Sequence, residues 1–214
     1  MTPNINFRAS VAIFFRLNIN LNIQRRIFRE EEFGGTLVEP PKEIAPGIAF
    51  GPSEIAVTEI DKSKVRYNAD RYLLLIESDL NKIYEVNKKV ASVFRKYYYP
   101  FSEVVRYCEF NFPDQPLEIS DLANKIRSQI KATNFDIGAI FGMELKPYSI
   151  SFSYPESPLN DYWMHVQFTP DANSPNNRII LKITKRTQTH DEMIEFLLGV
   201  KDKILQIRGL FEEW

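Results

Sequence analysis

The residues best suited to chemistry in this chain stand on alternating segments rather than in a compact local motif. Over Tyr162–Thr169, Trp163, His165, Gln167 and Thr169 share one phase, and Tyr162, Met164, Val166 and Phe168 share the other. Successive side chains of an extended strand point to opposite faces. One face is therefore apolar, and the other presents an indole, an imidazole and an amide together. That set can stack on a ring and hydrogen-bond its edge, which suits a ligand or a partner surface. Near the N-terminus, Arg8, Phe14 and Arg16 fall in the polar phase of a longer alternating run, where a phenyl ring is out of place on a solvated face. The matching ring in the second half is Tyr107, with Glu109 in the slot matching Arg16. With those two strands side by side, Phe14 and Tyr107 form an aromatic pair. Arg16 and Glu109 then form a cross-strand ion pair, worth under about 1 kcal/mol if exposed. Arg66, Arg71, Arg178 and Lys182 add positive charge on other strands. The candidate ligand-binding set is Phe14, Arg16, Arg66, Tyr107, Trp163, His165, Gln167 and Lys182.

Candidates for catalysis are thinner. Cys108 is in phase with Phe110 and Phe112, which buries it away from any base and makes it a packed small side chain. His190 falls in the first turn of the last helix, as surface capping chemistry. Glu156, Asp161 and Asp171 occupy loops around the Trp163 strand, but no spacing forces them together for acid–base work or metal binding. Nucleotide-binding glycine loops, zinc-helix motifs and serine elbows are all missing. No catalytic residue, metal or cofactor is assigned, and the expectation leans away from an enzyme.

Composition narrows the class. The chain has 214 residues, enough for a real core, and a single cysteine, which excludes an internal disulfide and a cysteine-based zinc site. Lys plus Arg number 27 against 28 Asp plus Glu, so the net charge of −1 does not favour nucleic acid. The longest apolar run near the N-terminus, Val11–Phe15, is shorter than the roughly 7–15 residues of a signal core or the about 20 of a membrane span. A reduced, cytoplasmic protein without a membrane partner is expected.

The elements that must carry these residues follow from periodicity. Every odd position from Ile5 to Ile23 is apolar, which predicts a strand ending near Asn18 or Asn20, with a helix over Gln24–Phe33. Residues 36 to 54, with four prolines, read as a loop holding a short strand at Ile48–Phe50. Strands are predicted at Ile55–Ile60, Lys64–Asn68 and Arg71–Glu77, then a helix over Asp79–Tyr98 capped by Ser78 and ended by Pro100. Tyr97, Tyr98 and Tyr99 are expected to seal the seam between the halves. The second half reads as a strand at Glu103–Phe112 bounded by Pro113 and Pro116, and a helix over Ile119–Ala132. Strands follow at Ile137–Phe141, Leu145–Tyr154, Tyr162–Thr169 and Arg178–Lys185. The closing helix opens on a capping box, Thr189 to Glu192, and carries an apolar stripe from Met193 through Leu197, Val200 and Ile204.

Residues 1–99 and 100–214 thus read as two β/α halves of one pseudo-symmetric domain. Val65–Asp70 echoes Val166–Asp171, Arg71–Ile76 echoes Arg178–Ile183, and Val11–Ile19 is set against Val104–Phe112. This order resembles the duplicated TATA-binding-protein-like fold, and the second half alone resembles the helix-grip arrangement. The resemblance implies an α+β fold with a curved antiparallel sheet, long helices on one face and a tandem β-α-β4-α duplication. It rests on element order and carries over no functional motif. The expected function is a non-enzymatic binding or protein-interaction module using an open sheet face, alone or as a homodimer. One alternative is a helix-grip pocket for a small apolar ligand, lined by residues such as Met164, Phe152 and Leu197. Others are a nucleic-acid-binding saddle and a hydrolase using His165 with the loop acids.

Overall fold

The computed structural model describes residues 7–17, 19, 23, 26–27, 36–37, 42–45, 48–50, 54–60, 62–68, 71–118, 149–155 and 160–212. The helices expected over 24–33 and 119–132 and the strand over 137–141 lie largely or wholly outside these residues. In chain order the elements are β1 (Arg8–Phe15), β2 (Thr36–Leu37), β3 (Lys42–Ala45), β4 (Ile48–Phe50), β5 (Glu54–Ile60), β6 (Ser63–Asn68) and β7 (Leu73–Asp79). Then come α1 (Ile83–Tyr97), the single-turn α2 (Phe101–Val104), β8 (Val105–Glu118), β9 (Ile150–Ser153), β10 (Trp163–Pro170), β11 (Arg178–Thr187) and α3 (His190–Glu212).

Among the described residues, period-two patterning builds one antiparallel sheet of nine strands, ordered β2-β5-β6-β7-β1-β8-β11-β10-β9, while β3 and β4 pair separately. The fold is therefore α+β. β1 and β8 are hydrogen-bonded neighbours at the centre, so the two halves of the chain share one sheet. Outward from that pair the order is β7, β6, β5 on one side and β11, β10, β9 on the other.

Both long helices pack on the same sheet face, α1 on β7 and β1, and α3 on β8 and β11. They cover the apolar phase of the strands: Val11, Ile13, Val65, Leu74, Ile76, Phe110 and Leu181 are all fully buried. Burying a side chain of this size stabilises the fold by about 1.5–3 kcal/mol. Phe15 stacks on Phe94 of α1 at 5.7 Å between ring centroids, and Phe101 packs against both. The α3 stripe of Met193, Leu197, Val200 and Ile204 is buried as its spacing requires. At its start the Thr189 hydroxyl accepts the Glu192 N–H at 3.3 Å, and the Glu192 carboxylate accepts the Gln188 N–H at 3.1 Å.

Several sequence expectations are corrected. Ser78 does not cap α1. It is a buried residue of β7 whose hydroxyl meets that of Ser63 at 2.6 Å, and α1 begins later, after Lys82. The strand expected to end at Phe112 continues to Glu118, because the ladder to β11 shifts register past Pro113, which has no N–H to offer. Of the seam tyrosines, Tyr97 and Tyr98 are half-buried, but Tyr99 is 92% exposed. Among the described residues, no helix is long and apolar enough to cross a membrane.

Candidate functional site

The sheet face away from the helices carries the polar phase of every central strand. The pairings Phe14↔Tyr107, Glu109↔Arg186 and Trp163↔Arg186 place these side chains across β1, β8, β11 and β10. Phe14 and Tyr107 stack with centroids 4.3 Å apart and ring planes at 22°, the pair expected of the two opening strands lying side by side. The Arg186 guanidinium lies 5.5 Å from the Tyr107 ring centre and 5.7 Å from that of Trp163. Trp163 in turn stacks on His165 at 5.5 Å and 10°. An unbroken ladder of phenyl, phenol, guanidinium, indole and imidazole thus crosses four strands. Cation–π contacts of this kind contribute about 0.5–2 kcal/mol each, depending on desolvation.

A polar network holds the ladder in place. Arg186 donates from Nε to Glu109 at 2.5 Å, and the two side chains are only 24% and 17% exposed. Asn111 donates to the same carboxylate at 2.8 Å and accepts from the Thr184 hydroxyl at 3.0 Å. Arg186 is therefore a fixed platform between two rings rather than a swinging cation. Burial pushes the Tyr107 phenol up, with Arg186 pulling in the opposite direction. At the outer end, His165 Nδ1 meets the Ser153 hydroxyl at 2.6 Å.

The remaining sequence candidates divide. Gln167 and Lys182 face each other across β10 and β11 on the same sheet face, and Lys182 is exposed. Arg66 reaches that face on β6 and donates to Glu77 at 2.6 Å. Arg16 does not join them. It lies past the end of β1, and its backbone N–H and Nε donate to the carbonyls of Val104 and Val105. The expected Arg16–Glu109 pair is absent, because the antiparallel register sets Ala12 opposite Glu109. Arg186, Asn111 and Thr184 complete the site without standing among the sequence candidates; Arg186 lies one residue past the strand expected to end at Lys185, and alternation continued beyond that point places it on this face.

Cys108 is fully buried, and burial pushes its thiol far above the ordinary range. Asp171 is buried and accepts the Asn173 N–H at 2.9 Å, closing a turn, whereas Asp161 lies 4.0 Å from the Arg106 guanidinium. Of the residues expected to line a helix-grip pocket, Phe152 is 60% exposed and Leu197 is 3% exposed. Among the described residues, no group of three or more histidine, cysteine or acidic side chains could hold a metal ion.

A second feature lies where α1 ends and α3 begins. A cleft of about 290 Å³ is lined by Arg95, Tyr99, Pro100, Phe101, Ser102, His190 and Asp191. His190 is not a surface cap: it is 2% exposed, packs edge-on against Phe101 at 5.6 Å, and neither ring nitrogen has a hydrogen-bond partner. Arg95 and Asp191 form an ion pair between the two helices. No protein family, curated protein or solved structure matches this chain.

Proposed function

We propose that this chain is a non-enzymatic interaction module that offers the helix-free face of its sheet to a polypeptide partner. The observation that carries this reading is the half-exposed ladder of Phe14, Tyr107, Arg186, Trp163 and His165 on a rigid sheet. Tyrosine, tryptophan and arginine concentrate at the centres of protein interfaces, where they bury large areas at small entropic cost. The charge on the face favours a polypeptide over a polyphosphate. Arg66 is matched by Glu77 and Arg186 by Glu109, so these two cations are already neutralised within the face rather than free for a backbone of phosphates.

The same proposal reads the sheet as a tandem duplication in a cytoplasmic protein. The mirrored strand order supports duplication, and so does register: Val65↔Ile76 and Tyr67↔Leu74 in one half match Val166↔Ile183 and Phe168↔Leu181 in the other. These are the residues that the sequence echo aligns. The opening strands align differently. Val11 and Phe112 both pair with the equivalent isoleucines, Ile76 and Ile183, so Val11 matches Phe112 rather than Val104.

Selection of displayed peptides against the protein tests the reading. Selected sequences are expected to bind the wild type and to lose at least tenfold in affinity against Tyr107→Ala and Trp163→Ala, as loss of a central interface aromatic requires. Peptides that bind both variants as well as the wild type would contradict it. Oligonucleotides binding the face with a steep loss on added salt would instead establish the saddle reading.

A further inference from the structure

We infer that the cleft between the end of α1 and the start of α3 binds a small uncharged ring compound bearing a hydroxyl group, with His190 as its polar anchor. The cleft lies among the helices rather than on the ladder, and the inference does not depend on the interaction face. Its lining comes from α1, α2, the link between them and the first turn of α3, all within the described residues. Its volume of about 290 Å³ stands at the small end of the roughly 300–1,000 Å³ of ligand pockets, which suits a single ring better than a large cofactor.

The polar anchor follows from the state of His190. It forms part of the cleft wall and is only 2% exposed, yet neither ring nitrogen has a hydrogen-bond partner among the described residues. Buried polar groups are nearly always paired, so a ligand group that pairs with this ring regains what its burial cost. Burial, and after it the Arg95 guanidinium, pushes the imidazole down to about 4, so at pH 7 the ring is neutral. One nitrogen then donates and the other accepts, and a hydroxyl can meet either. Charge favours an uncharged ligand. Arg95 and Asp191 pair with each other across the helices, so an anion gains Arg95 only by displacing Asp191, and a cation gains Asp191 only by displacing Arg95. The walls favour a ring. Phe101 stands edge-on to His190 at 5.6 Å, and Tyr99 is 92% exposed, an aromatic surface that a second ring can cover.

Backbone amide resonances of the isotope-labelled full chain, titrated with phenol to roughly 10 mM, read the binding. Phenol is expected to shift the amides of Phe101, Ser102, His190 and Asp191 saturably. Toluene, the same ring without the hydroxyl, is expected to bind roughly tenfold more weakly, as loss of a buried hydrogen bond requires. His190→Leu keeps an apolar wall without the nitrogens and is expected to reverse that preference. The comparison of phenol with toluene in the unaltered chain stands whether or not that variant folds, which circular dichroism checks. Benzoate and benzylamine are expected to bind no better than toluene. The absence of a saturable shift at these residues would overturn the inference, as would toluene binding the unaltered chain as tightly as phenol. A preference for phenol that survives in His190→Leu would remove His190 as the anchor, and benzoate binding tightest would overturn the uncharged class by making Arg95 the anchor.

Discussion

His190 makes the sharpest prediction about stability. Burial, and secondarily the nearby Arg95 guanidinium, pushes its imidazole down to about 4 from an ordinary 6.5, with Asp191 opposing. The native state therefore holds His190 neutral, while the unfolded chain takes up a proton as pH falls below 6.5. A depressed native value means that the stability is fully present above 6.5 and is lost as pH falls toward 4. A gap of this size corresponds to about 3 kcal/mol. His190→Leu removes the titrating group and leaves no unsatisfied nitrogen behind. At pH 7 the variant is expected to be at least as stable as the wild type, because each unsatisfied buried nitrogen carries a cost of about 1–3 kcal/mol. Urea unfolding at a series of pH values from 7 to 4 measures both chains. The carboxylates titrate equally in both, so the difference isolates His190. The wild type is expected to lose about 3 kcal/mol more than the variant over this range. Parallel curves would refute the reasoning, since they would mean that His190 reaches water without cost.

Three further predictions follow from the packing. Arg186→Ala leaves the Glu109 carboxylate half-buried with only its Asn111 contact among the bonds described above, and is expected to destabilise the protein by about 1–3 kcal/mol in urea; adding Glu109→Ala should recover part of that loss. Cys108 is fully buried with its thiol pushed far up, so a thiol reagent at neutral pH is expected to label it only after unfolding, and labelling of the native protein would contradict that placement. Phe94→Ala removes a buried ring that stacks on Phe15 and packs against Phe101, and is expected to cost about 3–5 kcal/mol, read from the shift in unfolding midpoint.

The face of the sheet was legible in sequence because side-chain phase is local. Trp163, His165 and Gln167 lie on one face, and Cys108 and Phe110 on the other, as alternation alone requires. The helical stripe of α3 was legible for the same reason. Pairing register is not local. Arg16 and Glu109 share a phase, but which residue lies opposite Glu109 depends on where two distant strands begin their ladder. Burial at a helix start is equally hidden. His190 follows a good capping residue and reads as surface, yet the ring of Phe101, 89 residues earlier in the chain, packs against it. The extension of β8 past Pro113 is not legible locally, because proline interrupts a ladder without ending a strand when the register can shift around it.

Mapping where a peptide selected for binding perturbs the backbone amide resonances tests the central claim most directly. The account predicts shifts concentrated at residues 14, 107, 163, 165 and 186, which come from four strands and adjoin only on the helix-free sheet face. Shifts confined to α1 and α3, or to the cleft beside His190, would contradict it and would move the working surface to the opposite side of the molecule.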